Sequence, residues 1–195
     1  ILSLLPDPSA AEPFQARGLV VGYVQSGKTA NYTAVAARAA DAGYRLVIVL
    51  SGIHDSLRNQ TQRRLERELV HCPGLPTSVQ SEQPWLTLTS ATEDFKSPAL
   101  ELLDQKAIFL AIVKKNTLVL QKLDAWLASA GSRLDSLPVL VIDDEADQAS
   151  INTKGNRAAD PALEDESIDE DPGPKPSPTN ALIRSILARA PRASY

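Results

Sequence analysis

Eight consecutive residues, Gly22-Tyr23-Val24-Gln25-Ser26-Gly27-Lys28-Thr29, have the types and spacing that hold a polyphosphate. Glycines at the first and sixth places let the backbone wrap closely around phosphate oxygens, with successive N–H groups pointing inward. A helix expected to start near Lys28 adds the positive end of its dipole at the same place. Lys28 would hold the β and γ phosphates, and the Thr29 hydroxyl would ligate Mg²⁺. The expected cofactor is ATP with Mg²⁺, bound by Gly22, Gln25, Ser26, Gly27, Lys28, Thr29 and Ala30. A chance match to all four fixed places in such a chain is on the order of 1%. A glycine-bounded turn with an exposed lysine is therefore the weaker reading.

A phosphate cradle alone binds nucleotide; hydrolysis also needs an acid to place the metal and a group to orient water. Asp143-Asp144-Glu145-Ala146-Asp147 can supply both, directly after the apolar run Val139-Leu140-Val141-Ile142. In parallel α/β sheets ligands sit at the carboxyl ends of strands, which would bring these acids and the cradle to one edge. Asp144 is the candidate Mg²⁺ contact, through water, and Glu145 the candidate for polarising the attacking water. Lys28, Asp144 and Glu145 form the expected catalytic set, and Thr29 with Asp144 the metal set. Alone, the acids would more simply solvate a strand end or cap a helix; beside a complete cradle that reading recedes.

Short apolar runs alternate with helical patterns along the chain, which predicts an α/β fold of the P-loop NTPase kind. The expected form is a three-layer sandwich around a mainly parallel sheet. Strands are expected at Leu19-Val20-Val21, at residues 46–50, 85–89 and 107–113, and at 139–142. Helices are expected from Lys28 to Ala42, ended by Gly43, from Ser56 to Val70, from Leu118 to Leu127 and from Asn180 to Arg189. In the second helix, Leu57, Thr61, Leu65 and Leu69 recur every four residues and form the expected inward stripe. The expected organisation is a lead-in over 1–15, the ATP-binding lobe over 16–150, an acidic proline-rich loop over 151–178, and a last helix and strand of the same lobe over 179–195.

The chain's 195 residues and net charge of −4 suit a single medium-sized domain. Seven acids and one lysine lie within 160–178, leaving a mildly basic remainder that permits, without demonstrating, a nucleic-acid partner. The single Cys72 excludes an intrachain disulfide, and no apolar run is long enough for a membrane span. A cytoplasmic protein with no membrane association is expected. Methionine is absent even at position 1, so the expectation is a piece of a longer protein.

Candidate nucleic-acid contacts are His54, after the second strand, Arg58 and Gln62 on the following helix, and Lys114 and Lys115 at the end of a later strand. For each a plainer reading is open: a hydrogen-bonded loop residue for His54, a solvated helix face for Arg58 and Gln62, a strand end before an Asn116 cap for the lysines. Gln15 is a weak candidate for reading adenine. Trp85 and Trp126 fit a core or partner surface better than a base-stacking platform.

Asp144-Glu145-Ala146-Asp147 spells the D-E-A-D motif of a large group of helicases. More widely, residues 18–31, 50–61 and 141–150 resemble the bacterial Z-one domain family, and the resemblance resumes at Arg192-Ala193-Ser194-Tyr195. It implies the first RecA-like lobe of a superfamily-2-type ATPase, associated with endonuclease and restriction-type defence systems. The implied partners are nucleic acid (DNA favoured over RNA), a second RecA-like lobe supplying an arginine finger, and proteins of a defence complex. Two functions follow as expectations: a motor that couples ATP hydrolysis to movement on or remodelling of nucleic acid, and a nucleotide-gated switch with slow turnover. A non-hydrolysing structural lobe fits less well, because Lys28, Thr29, Asp144 and Glu145 are all present.

Overall fold

The strand Leu46–Ser51 (β2) is buried at all six positions, as a wholly apolar run in a sheet covered on both faces must be. The computed structural model describes residues 2–10, 12–21, 27–71, 83–147 and 176–195. Around β2 lie Phe14–Ala16 (β1), Trp85–Thr87 (β3), Ile108–Lys114 (β4), Val139–Asp143 (β5) and Arg192–Ser194 (β6). They form one six-stranded sheet in the order β1-β6-β5-β2-β4-β3, and every neighbouring pair is parallel.

Alternation along the central strands divides the core into two. Leu46, Ile48 and Leu50 of β2 join Phe109, Ala111 and Val113 of β4 on one face. Thr117–Ala130 (α3) and Pro178–Arg189 (α4) cover that face with Leu120, Leu123, Trp126, Leu127, Ile183, Ile186 and Leu187. Val47 and Val49 join Ile108, Leu110 and Ile112 on the other. Lys28–Ala42 (α1) and Asp55–Leu65 (α2) supply Ala36, Ala39 and Leu65 there. Helices thus lie on both sides of an all-parallel sheet, a three-layer α/β arrangement.

Local chemistry sets the helix ends. The Asn116 side chain accepts from the Leu118 N–H at 3.0 Å and starts α3. Ser177 accepts from the Asn180 N–H at 3.2 Å, with Pro178 in the first turn of α4. Gly43 closes α1 at φ 117°, and its N–H reaches the Ala39 and Ala40 carbonyls. That backbone favours glycine, and a Cβ there would also sit tightly against Pro8 Cγ, at 3.3 Å.

Three expectations are corrected. Leu19, Val20 and Val21 form no strand and are exposed; the first strand is Phe14–Ala16, held to Arg192–Ser194. Phe14 and Gln15 of the expected lead-in thus lie in the sheet, and Tyr44 holds the segment before them by donating to the Pro6 carbonyl at 3.1 Å. In α2 the buried stripe is Arg58, Thr61, Gln62, Leu65, so the inward face is rotated from the one Leu57 implied. That helix continues as a π-helical segment, Glu66–His71, in which Leu69 is buried. The acidic loop lies almost wholly outside the described residues.

Candidate functional site

All six strands run the same way, so their carboxyl ends share one edge. There Ser51 leads to His54, Lys114 to Lys115, Asp143 to Asp144 and Glu145, and Ser194 to Tyr195. The amino end of α1 reaches the same edge, as its side chains show. Gly22, Gln25 and Ser26 lie outside the described residues. Gly27 precedes α1 at φ 77°, a left-handed backbone that glycine adopts without strain. Lys28 and Ala30 are exposed in the first turn, and Thr29 is half-buried.

One turn into α1, Tyr32 joins the two halves of the site. Its hydroxyl donates to Asp144 Oδ2 at 3.1 Å. The side chains of Thr29 and Thr61 lie close enough to it to favour its charged form slightly. Thr29 and Asp144, 115 positions apart in the chain, are thus gathered around one phenol. Burial, reinforced by the Asp144 carboxylate, pushes the Tyr32 hydroxyl well above the usual phenol range, which keeps it protonated and a donor. The Thr33 hydroxyl donates to the Thr29 carbonyl at 2.7 Å and steadies this first turn.

The acidic turn is held from below. Lys115, whose side chain is fully buried, donates to Asp143 Oδ1 at 2.8 Å, to the Asp144 carbonyl at 2.8 Å and to the Glu145 carbonyl at 2.6 Å. The other oxygen of Asp143 accepts from the Tyr195 hydroxyl at 2.7 Å. Burial first, then the bond to Asp143 and its charge, raise the Tyr195 phenol. The Asp144 N–H continues the sheet, donating to the Leu50 carbonyl at 2.9 Å. Asp143 is therefore an anchor with both oxygens occupied, while Asp144 and Glu145 face the edge beyond it. Sequence reasoning treated Asp143 only as part of the run. The apolar strand before it points to burial of the first acid, but not to its partners.

Glu145 sits at φ 56°, uncommon for a residue with a side chain, and its Oε2 is buried without a hydrogen-bond partner among the described residues. An orphaned carboxylate oxygen beside Asp144 suits a group that would accept a hydrogen bond from water. The oxygen-only donors Thr29 and Asp144 suit a hard cation. Among the described residues no three His, Cys, Asp or Glu groups form a self-sufficient metal cage. Mg²⁺ needs no such cage, because it is ordinarily held by one or two carboxylates, waters and substrate phosphates. Thr29 and Asp144 have the donor chemistry for such a shared hold on Mg²⁺.

The candidate nucleic-acid residues separate. His54 is exposed just before α2, and Lys114 pairs with Asp55 at 2.6 Å at the same edge. Arg58, Gln62 and Lys115 are inside the protein and are corrected as surface contacts: the hydrogen bonds they make are internal, although Arg58 Nε is buried with no hydrogen-bond partner among the described residues. Arg58 donates to the Ser90 and Ala91 carbonyls at 3.0 and 3.3 Å and faces Asp94 at 3.7 Å. Gln62 donates to the Thr89 carbonyl at 3.0 Å and accepts from the Thr89 hydroxyl at 2.8 Å. These residues fasten α2 to the segment after β3. Arg58→Ala is expected to cost about 2–3 kcal/mol of stability, because carbonyls of the 90–91 segment lose their donor. Urea unfolding checks this; an unchanged midpoint would return Arg58 to the surface candidates.

Gln15 is likewise taken up, donating to the Ala190 carbonyl at 2.6 Å at the end of α4, rather than poised for a base. Trp126 is in the core; Trp85 is half-buried beside the opposite cluster.

Fold and edge together define a three-layer α/β protein with an all-parallel sheet and an acid–lysine–tyrosine cluster at its carboxyl edge. Comparison with protein-family models, curated proteins and solved structures finds no match to this chain. Among the described residues, no helix is long and apolar enough to cross a membrane.

Proposed function

We propose that this chain is the ATP-binding, RecA-like lobe of a helicase-like P-loop ATPase, one that couples hydrolysis to translocation on or remodelling of nucleic acid. The observation that carries the nucleotide part is the Tyr32 hydroxyl, which draws Thr29 of the phosphate-cradle helix and Asp144 of the acidic strand end together. Two residues assigned to one metal from spacing alone share a neighbour in space. Thr29 and Asp144 would hold the magnesium ion, directly and through water, and Lys28 the β and γ phosphates. Bound there, the ion would neutralise charge on the phosphates. Glu145 would orient water with its unpartnered oxygen.

A second reading, a nucleotide-gated switch acting on partner proteins, gains from one observation. Arg58, Gln62 and Lys115 are all buried, so three of the five expected nucleic-acid contacts leave the surface. Stimulation of hydrolysis by nucleic acid supports the motor; stimulation by a protein partner alone supports the switch. The bacterial defence association remains part of the proposal, on the resemblance of residues 18–31, 50–61 and 141–150.

Titration with a fluorescent ATP analogue and Mg²⁺ tests the site itself. Loss of the Lys28 ammonium in Lys28→Ala removes a charge-assisted phosphate contact, so affinity is expected to fall about 10- to 100-fold. Equal binding by wild type and variant, or none by either, would overturn the ATP-site reading.

A further inference from the structure

The geometry points to Lys115 as the positioning residue that sets the backbone of the acidic turn, and through it the places of the Asp144 and Glu145 carboxylates. This inference rests on the ATP-site reading above and adds a residue that the phosphate cradle and the acidic motif do not contain.

Lys115 follows β4, yet its ammonium reaches the end of β5, two strands away with β2 between them. An ammonium has three donors. One goes to the Asp143 carboxylate, and two go to the carbonyls of Asp144 and Glu145, the residues assigned to metal and water. A buried ammonium must place its remaining donors on acceptors, and here the acceptors are those two carbonyls. Their engagement fixes the peptide planes on either side of the Glu145 Cα, where φ is 56°. A non-glycine residue there is strained and persists only when its surroundings hold it.

The base of the lysine is itself firm. Its N–H donates to the Ser51 carbonyl at 3.3 Å, and the next residue, Asn116, caps α3. From the far side the Tyr195 hydroxyl holds Asp143 Oδ2, so the carboxylate that orients the ammonium cannot swing away. The arrangement resembles the outer shell of a metal site, in which groups that touch no metal fix those that do, and whose loss typically costs 10- to 100-fold in metal affinity.

The competing account is a buried ion pair that merely stabilises the fold. The two differ in whether the metal's contribution to nucleotide binding depends on Lys115. The chain is titrated with a fluorescent ATP analogue in EDTA and again in Mg²⁺, as wild type, Lys115→Met and the double variant Lys115→Met/Asp143→Asn. The double variant leaves no unpaired buried charge, so it keeps the test open if Lys115→Met fails to fold. Circular dichroism and thermal melting establish which variants are folded.

The expected result is metal-free affinity like that of wild type, with the gain from Mg²⁺ reduced roughly 10-fold or more in every folded variant. A folded variant with the full Mg²⁺ gain overturns the proposal. So does failure of both variants to fold, which would make Lys115 a residue of the fold alone. Failure of the ATP-site reading shows elsewhere, as wild-type protein that does not bind nucleotide or a Lys28→Ala variant that binds normally.

Discussion

Glu145→Gln is expected to slow ATP hydrolysis by about 100- to 10,000-fold, the usual worth of a positioned general base, while leaving nucleotide affinity unchanged. The amide has the size and shape of the carboxylate, so the packing of the turn is kept. It cannot take a proton, and it offers one acceptor oxygen in place of two. Oε2 makes no hydrogen bond among the described residues, and the Lys115 bond to residue 145 goes to its backbone carbonyl. Substitution should therefore leave the fold intact and fall on the chemical step. Phosphate release under single-turnover conditions measures that step even where turnover is slow. Wild-type hydrolysis by Glu145→Gln would remove Glu145 from the mechanism and leave Asp147 as the acid to examine next.

The central part of the fold was legible because β2, β4 and β5 are apolar at nearly every position, a pattern that only a doubly covered parallel sheet accommodates. Helix α1 ends where Gly43 predicts, and Asn116 caps α3 as its residue type suggests. The edges were not legible. Phe14-Gln15-Ala16 has too little apolar alternation to read as a strand, and its pairing with Arg192–Ser194 joins residues 178 apart. Leu19-Val20-Val21 has the right composition but no partner among the described residues.

The candidate site divides in the same way. Local motifs named Lys28, Thr29, Asp144 and Glu145. Tyr32, Lys115 and Tyr195 hold the acids only because the fold brings distant residues to one edge, and no spacing rule reveals that. Arg58 and Gln62 misled for a related reason. Polar residues on a helix read as solvent-facing, but here the loop after β3 offers carbonyls that accept from them in the interior. The withdrawal of these residues shifts any nucleic-acid surface toward His54 and Lys114, the two candidates still at the rim.

Trp126→Ala is expected to cost about 3–5 kcal/mol of folding stability, among the largest effects of any single truncation in a core, and to leave nucleotide affinity in the remaining folded protein unchanged. The side chain is 4% exposed on the face covered by α3 and α4. Its ring meets Phe95 edge-to-face with centroids 5.4 Å apart, and its Nε1 donates to the Pro98 carbonyl at 2.6 Å. Truncation would open a cavity, strip an aromatic pair and leave a carbonyl without its donor. Trp126→Phe separates these losses in part, since it keeps an aromatic ring in the site and removes the N–H with part of the ring, so it should recover more than half of the deficit. Urea unfolding of the three proteins gives the comparison. A Trp126→Ala protein as stable as wild type, but with weakened binding to single-stranded DNA, would instead make Trp126 the base-stacking platform that its place in the core argues against.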